Sequence, residues 1–202
     1  MKHLLCIILS LAVALGAYAD QLPSPELPEA APPAATTPYE RTPFQKGIGI
    51  STDVIAIAMP AATLAGVLIL QDWQGLKQAA FTAVTAGGLT LILKYSIKEW
   101  RPDYSNHHSF PSMHSATAFA TAAFLQRRYG WKFGGPAYAL ATYTAVGRVL
   151  AKKHHWWDCV AGAAIGAGSA YIYTRPWARK HELSIMPAAS DTHVGFVASM
   201  VF

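Results

Sequence analysis

The chain has 202 residues, a formal net charge of +5, and charged side chains at 13 % against 52 % hydrophobic ones. An ordinary soluble domain carries about 25 % charged residues, so this composition is too apolar and too weakly charged for one. The basic balance suits acidic phospholipid or phosphate partners. No basic run interleaved with stacking aromatics is present, which sets nucleic acid aside.

Residues 1–19 read as a secretory signal. Lys2 and His3 open it, Leu4 to Leu15 are its apolar middle, and Ala17-Tyr18-Ala19 is a small-x-small cleavage site. An uncleaved first membrane helix is the other reading of this stretch. Cys6 leaves with the signal and Cys159 then stands alone, without a disulfide partner. Residues 20–50 are a Pro-rich tether, and seven of the thirteen prolines fall between Gln21 and Phe44. Such a segment favours extended polyproline conformations and buries no core.

Residues 51–180 alternate apolar segments with short polar joints, which predicts five helices. Val54 to Leu70 carries Pro60 as a kink. Ala79 to Leu93 carries Gly87-Gly88, a pair suited to close helix contact. Ser112 to Gln126 is rich in Ala and Thr. Pro136 is expected to open Ala137 to Leu150, since proline suits a first helical turn. Cys159 to Thr174 has Gly162, Gly166 and Gly168 at close-packing spacing. The expected fold is all-α, a membrane-embedded bundle of about five helices, although each apolar run is short against the ~20 residues of a typical span. In residues 181–202, Leu183 to Met186 and Val194 to Phe202 partly alternate, which admits a short β-hairpin; a tail against the domain or the membrane surface is the plainer reading.

Three stretches carry the chemistry. In the first, Lys94 and Arg101 are two helical turns apart, so both can leave one face, and Pro102 turns the chain away. In Pro111-Ser112-Met113-His114, the Ser112 hydroxyl can cap a helix whose first-turn N–H groups attract anions. His114 then stands where it can hand over a proton. In the third, Arg148 precedes His154 by six residues and Asp158 follows it by four. Asp158 can hold one imidazole nitrogen and leave the other as nucleophile or base. Arg148 adds a planar, permanently charged phosphate clamp. Trp156 and Trp157 read as an interfacial belt. If the signal is removed, all three stretches fall on the outer side of the membrane. Arg127, Arg128, Lys132, Arg175, Arg179 and Lys180 fall inside, as the positive-inside tendency asks, while Lys98, Lys152 and Lys153 are exceptions beside the motifs.

Taken together, Lys94-x6-Arg101-Pro102, Pro111-Ser112-Met113-His114 and Arg148-x5-His154-x3-Asp158 resemble the type 2 phosphatidic acid phosphatase superfamily over roughly Ala79 to Thr174. Met113 stands where that family usually has Gly, and Gly147 where it usually has Ser. The resemblance implies that Lys94, Arg101, Ser112, the Met113 N–H and Arg148 bind phosphate oxygens. It implies that His154, oriented by Asp158, attacks phosphorus, and that His114 protonates the departing oxygen. It further implies no metal and no cofactor, since fixed cations neutralise the phosphate. His107, His108 and His155 lack a carboxylate or thiolate cluster at ligand spacing, so they read as outer-face residues rather than a metal site.

The leading expectation is therefore a phosphatase acting on a lipid phosphate or pyrophosphate, at the periplasmic face of a bacterial inner membrane. Candidate substrates are isoprenyl pyrophosphate, phosphatidic acid, phosphatidylglycerol phosphate and lipid A phosphate. A soluble periplasmic acid phosphatase of broad specificity, and a non-catalytic bundle that binds lipid headgroups, are the alternatives. A vanadate haloperoxidase shares the motifs, but the short chain and membrane character argue against it.

Overall fold

The computed structural model describes residues 39–177 and the backbone of 183–190 and 193–200. The expected signal and most of the expected tether lie outside the described residues. Five helices follow one another: α1 Pro43–Ile69, α2 Trp73–Ser96, α3 Met113–Tyr129, α4 Trp131–Leu150 and α5 Trp156–Tyr173. Every apolar segment picked from the sequence is a helix, and most begin earlier than expected because local caps extend them. Thr42 and Gln45 form a reciprocal capping box with Pro43 in the first turn, so α1 starts inside the stretch assigned to the tether. The Asp72 carboxylate accepts from the Gly75 N–H at 2.9 Å and starts α2.

These extensions answer the length problem for two helices. α1 has 27 residues and α2 has 24, and both are long and apolar enough to cross a membrane. Pro136 does not open α4. It lies inside the helix, which begins at Trp131 after Gly130 at φ 88°. The left-handed backbone at Gly130, which glycine adopts without strain, breaks α3 from α4 and sets the true start.

α3 is the central helix and packs against the other four. Its buried residues are mostly alanines, among them Ala116, Ala118, Ala120, Ala122 and Ala123, with Phe124 filling the far end. α5 lies backbone to backbone on α3. A Cβ on Gly162 would strike the Ser112 carbonyl oxygen, and one on Gly166 would strike the Ala116 carbonyl oxygen. Gly168, Gly87 and Gly88 have nothing within 4 Å of such a Cβ. Among the described residues the expected close contacts at those three positions are therefore absent.

Large apolar side chains point outward and small or hydroxylated ones inward. Ile50, Val54 and Ile57 of α1, Val84 and Ile92 of α2, and Val146 of α4 are exposed, while Thr52, Thr82, Thr90, Thr144 and Ser169 are buried. Water would drive the opposite distribution. A bilayer accepts it, because lipid tails are as apolar as isoleucine and helix contact is then won by small residues at close range. The chain is a membrane-embedded helical bundle. The apolar outer belt opposes the soluble alternative.

At one end of the bundle Asp72 and Arg128 form a buried, two-pronged ion pair, Nε to Oδ2 at 2.7 Å and Nη2 to Oδ1 at 2.5 Å. Tyr129 also donates to Asp72, and Arg128 donates to the Arg175 carbonyl at 3.1 Å. Arg128 is thus a structural hub rather than a free interfacial cation. After the bundle, β1 Leu183–Ser190 and β2 His193–Met200 pair antiparallel, with Leu183 opposite Met200 and Ser190 opposite His193.

Candidate active site

The other end of the bundle gathers the three motifs. α2 stops at Ser96 because Ile97 turns extended, so Arg101 lies in the loop before α3 and not on the helix face shared with Lys94. The loop doubles back on itself. The Arg101 N–H donates to the Asn106 carbonyl at 3.0 Å, and the Ser109 N–H to the Glu99 carbonyl at 3.0 Å. That fold keeps Arg101 near enough to Lys94 for their charges to act on each other. The Lys94 ammonium donates to the His108 carbonyl at 3.0 Å, so it is turned toward the loop rather than extended to the lipid boundary.

The loop enters α3 through a buried Ser112, whose N–H donates to the Asp158 carbonyl at 3.0 Å. The Ser112 hydroxyl faces the Ser115 N–H at a long 3.4 Å. Met113 is the first residue of α3 and half-buried. It is not among the residues with positive φ, so a side chain at this position brings no backbone strain.

Asp158 sits in the first turn of α5 and is fully buried. Its Oδ2 accepts from the Ser109 hydroxyl at 2.5 Å and from the His155 N–H at 2.9 Å. The same oxygen lies 3.4 Å from Nδ1 of His154, an ion-pair distance, longer than a well-formed hydrogen bond. The His154 side chain is 2 % exposed. Burial pushes its imidazole down to about 4. Asp158 pulls the other way, and the positive charges of Arg101, Arg148 and Lys94 add to the downward push. His154 is therefore uncharged near neutral pH.

Arg148 is buried near the end of α4, and its Nη1 donates to Asp53 Oδ1 at 2.5 Å. The same Asp53 oxygen is 2.8 Å from Nε2 of His114. The Nε groups of Arg101 and Arg148 are buried and have no hydrogen-bond partner. A buried charged donor without an acceptor is costly, and an oxyanion between these guanidinium groups would remove that cost.

The structure thus brings Lys94, Arg101, Ser112, Met113, His114, Arg148, His154 and Asp158 to one end of the bundle. It adds residues that the motifs did not name. Asp53 comes from α1, and Ser109 and Glu99 come from the loop. Trp157, expected in the interfacial belt, donates its indole N–H to Glu99 at 2.7 Å. Glu99, His155 and Asp158 also bring ligand-type atoms within 4.8 Å of one another, a grouping that sequence spacing did not reveal. Trp157, Ser109 and the His155 N–H already partner both carboxylates, so the grouping is a hydrogen-bond network as it stands. His107 and His108 pack edge-on against Trp100 and Tyr95.

The model of the PAP2 superfamily matches residues 104–182. A lipid A 4'-phosphatase of Helicobacter pylori is 33 % identical over 135 residues, which make up 61 % of this chain and 68 % of that protein. A lipid A 1-phosphatase of Porphyromonas gingivalis is 36 % identical over 83 residues, 40 % of this chain but 19 % of that larger protein. The crystal structure of Aquifex aeolicus LpxE superposes with a TM-score of 0.58 at 20 % identity, covering 66 % of this chain and 87 % of that one, a likeness of fold.

Proposed function

The chain belongs to the PAP2 superfamily, and from that premise we propose that it hydrolyses a phosphate of lipid A through a phosphohistidine on His154. It is a phosphatase of lipid phosphates. Two relatives that act on lipid A favour that lipid over phosphatidic acid, phosphatidylglycerol phosphate or isoprenyl pyrophosphate.

One observation carries the mechanism: a buried, uncharged imidazole has Nδ1 facing a carboxylate oxygen 3.4 Å away and three fixed cations around it. Nε2 is left with its lone pair. It attacks phosphorus in line, and the P–O bond to the lipid breaks as the P–N bond forms. Lys94, Arg101 and Arg148, with the Ser112 hydroxyl and the Met113 N–H, hold the phosphate oxygens and stabilise the charge that builds on them. His114 gives its proton to the leaving lipid oxygen. It then takes a proton from the water that breaks the P–N bond and releases phosphate. The three cations supply the neutralisation that Mg²⁺ supplies in many phosphoryl transfers, so the reaction needs no metal.

The signal-like start and the sidedness of the cations support a bacterial inner membrane, with the site facing the periplasm. The test is phosphate release from lipid A in mixed detergent micelles with EDTA present. Release by the unaltered chain and none by His154→Ala supports the reading. Equal release by both contradicts it.

A further inference from the structure

Asp53 belongs to none of the three motifs, yet one of its oxygens ties two of them together. Oδ1 accepts from Arg148 Nη1 at 2.5 Å and lies 2.8 Å from His114 Nε2. The carboxylate is half exposed, with 51 % of its side chain open, while the Arg148 side chain is 4 % open. Asp53 is the one acidic residue of α1, and a charge within a membrane helix is costly unless it serves a site.

Gly147 explains how it gets there. A Cβ at Gly147 would lie 2.5 Å from Thr52 Cγ2 and 3.3 Å from Ile48 Cγ1. The missing side chain lets α1 press against α4 beside Arg148, and Thr52, itself fully buried, carries Asp53 into the site. The departure at Gly147 and the carboxylate at Asp53 belong to one packing arrangement.

We propose that Asp53 is a positioning residue: it fixes the His114 imidazole at Nε2, favours the protonated form that the leaving oxygen needs, and occupies Arg148 until the substrate phosphate arrives. The proposal rests on the phosphatase reading above. The groups that act on His114 are Asp53 from α1, Arg148 from α4 and His154 from the loop before α5. Burial opposes an imidazolium there first and Arg148 second, and His154 is uncharged near neutral pH. Asp53 is the group that attracts one. With Nε2 held, Nδ1 is the nitrogen that faces the lipid oxygen. When phosphate enters, Arg148 turns its donors to it and Asp53 keeps His114.

The test is the pH profile of kcat for lipid A in micelles, for the unaltered chain, Asp53→Asn and Asp53→Glu. For Asp53→Asn, kcat should fall about tenfold or more, the size of a general-acid contribution at the low end. KM should not rise, because Arg148 loses a competitor for phosphate. The alkaline limb should move to lower pH by roughly one unit, as expected when a close opposite charge is removed. Asp53→Glu should keep the limb near its original place, and it carries the test if the Asn variant fails to fold. An alkaline limb in active Asp53→Asn that coincides with the unaltered one overturns the proposal, whatever the rate. No phosphate release by the unaltered chain would instead bring down the phosphatase reading, and this proposal with it.

Discussion

The Ser109 hydroxyl donates to Asp158 Oδ2 over 2.5 Å, joining the loop after α2 to the first turn of α5. Asp158 is fully buried, and its other oxygen, Oδ1, has no hydrogen-bond partner. The carboxylate therefore depends on Ser109 and the His155 N–H for its position. Ser109→Ala leaves part of a buried charge unmet, a cost of about 1–3 kcal/mol, and loosens the group that holds His154. We expect kcat for lipid A to fall about tenfold with KM little changed, since this hydroxyl is not assigned to the phosphate. An unchanged kcat would show that Asp158 is held without it.

The buried imidazole of His154 makes the fold sensitive to acid. Its value is about 4 in the folded chain, against ~6.5 when unfolded. The unfolded state then binds the proton first as pH falls. The stability linked to this group is complete above pH ~6.5 and is lost progressively as pH drops through about 4, by an amount of order 3 kcal/mol. Thermal midpoints in detergent should therefore fall between pH 6.5 and 4 for the unaltered chain, and less steeply for His154→Gln. Parallel slopes would remove His154 as the cause.

At the far end of the bundle, Arg128→Met leaves Asp72 buried without its counter-charge. Breaking one partner of such a pair costs about 3–5 kcal/mol. The thermal midpoint should drop sharply, although no catalytic group is touched. The pair also sets an acid limit. Burial pushes the Asp72 carboxyl up, but Arg128, the Gly75 N–H and Tyr129 outweigh it and hold it below the usual carboxylate range. Its contribution is present above the unfolded value of ~3.9 and disappears as pH falls through the lower folded one. A midpoint unchanged in Arg128→Met would contradict the hub.

Gly166→Ala drives a methyl into the Ala116 carbonyl, and overpacking of this kind costs about 1–3 kcal/mol or more. Gly168→Ala meets open space and should be neutral or slightly stabilising, since alanine is the better helix former by ~1 kcal/mol. Thermal midpoints of the two variants should separate in that order. Equal losses would mean that α5 does not lie on α3 as described.

The contrast between Gly166 and Gly168 also shows what the sequence could tell. Glycine spacing marks a helix that can pack closely, but which face is covered depends on partners distant in the chain. Gly87 and Gly88 lack the expected close contact among the described residues for the same reason. The helices themselves were legible, because uncharged runs between polar joints have few other uses. Their starts at Pro43 and Trp73 lie upstream of the uncharged runs, and the signals that mark them are the Thr42-Pro43-Phe44-Gln45 capping pattern and the Asp72 cap. The three motifs were legible because their chemistry repeats at fixed short spacing. Asp53 was not: its partner Arg148 is 95 positions away, and a lone aspartate in an apolar run has no pattern to betray it. Arg101 was read as sharing a helix face with Lys94, when a folded loop does that work.

The most direct test of the account is to trap the covalent step. The unaltered chain, mixed with lipid A labelled in its phosphate and quenched within one turnover, should carry label that survives alkali and is lost in acid, the behaviour of a P–N bond. His154→Ala should carry none. His114→Ala should retain label longer than the unaltered chain if leaving-group protonation is bypassed by a good leaving group such as a nitrophenyl phosphate. Label on His154→Ala, or turnover by the unaltered chain with no alkali-stable label at any time, would contradict a phosphohistidine on His154.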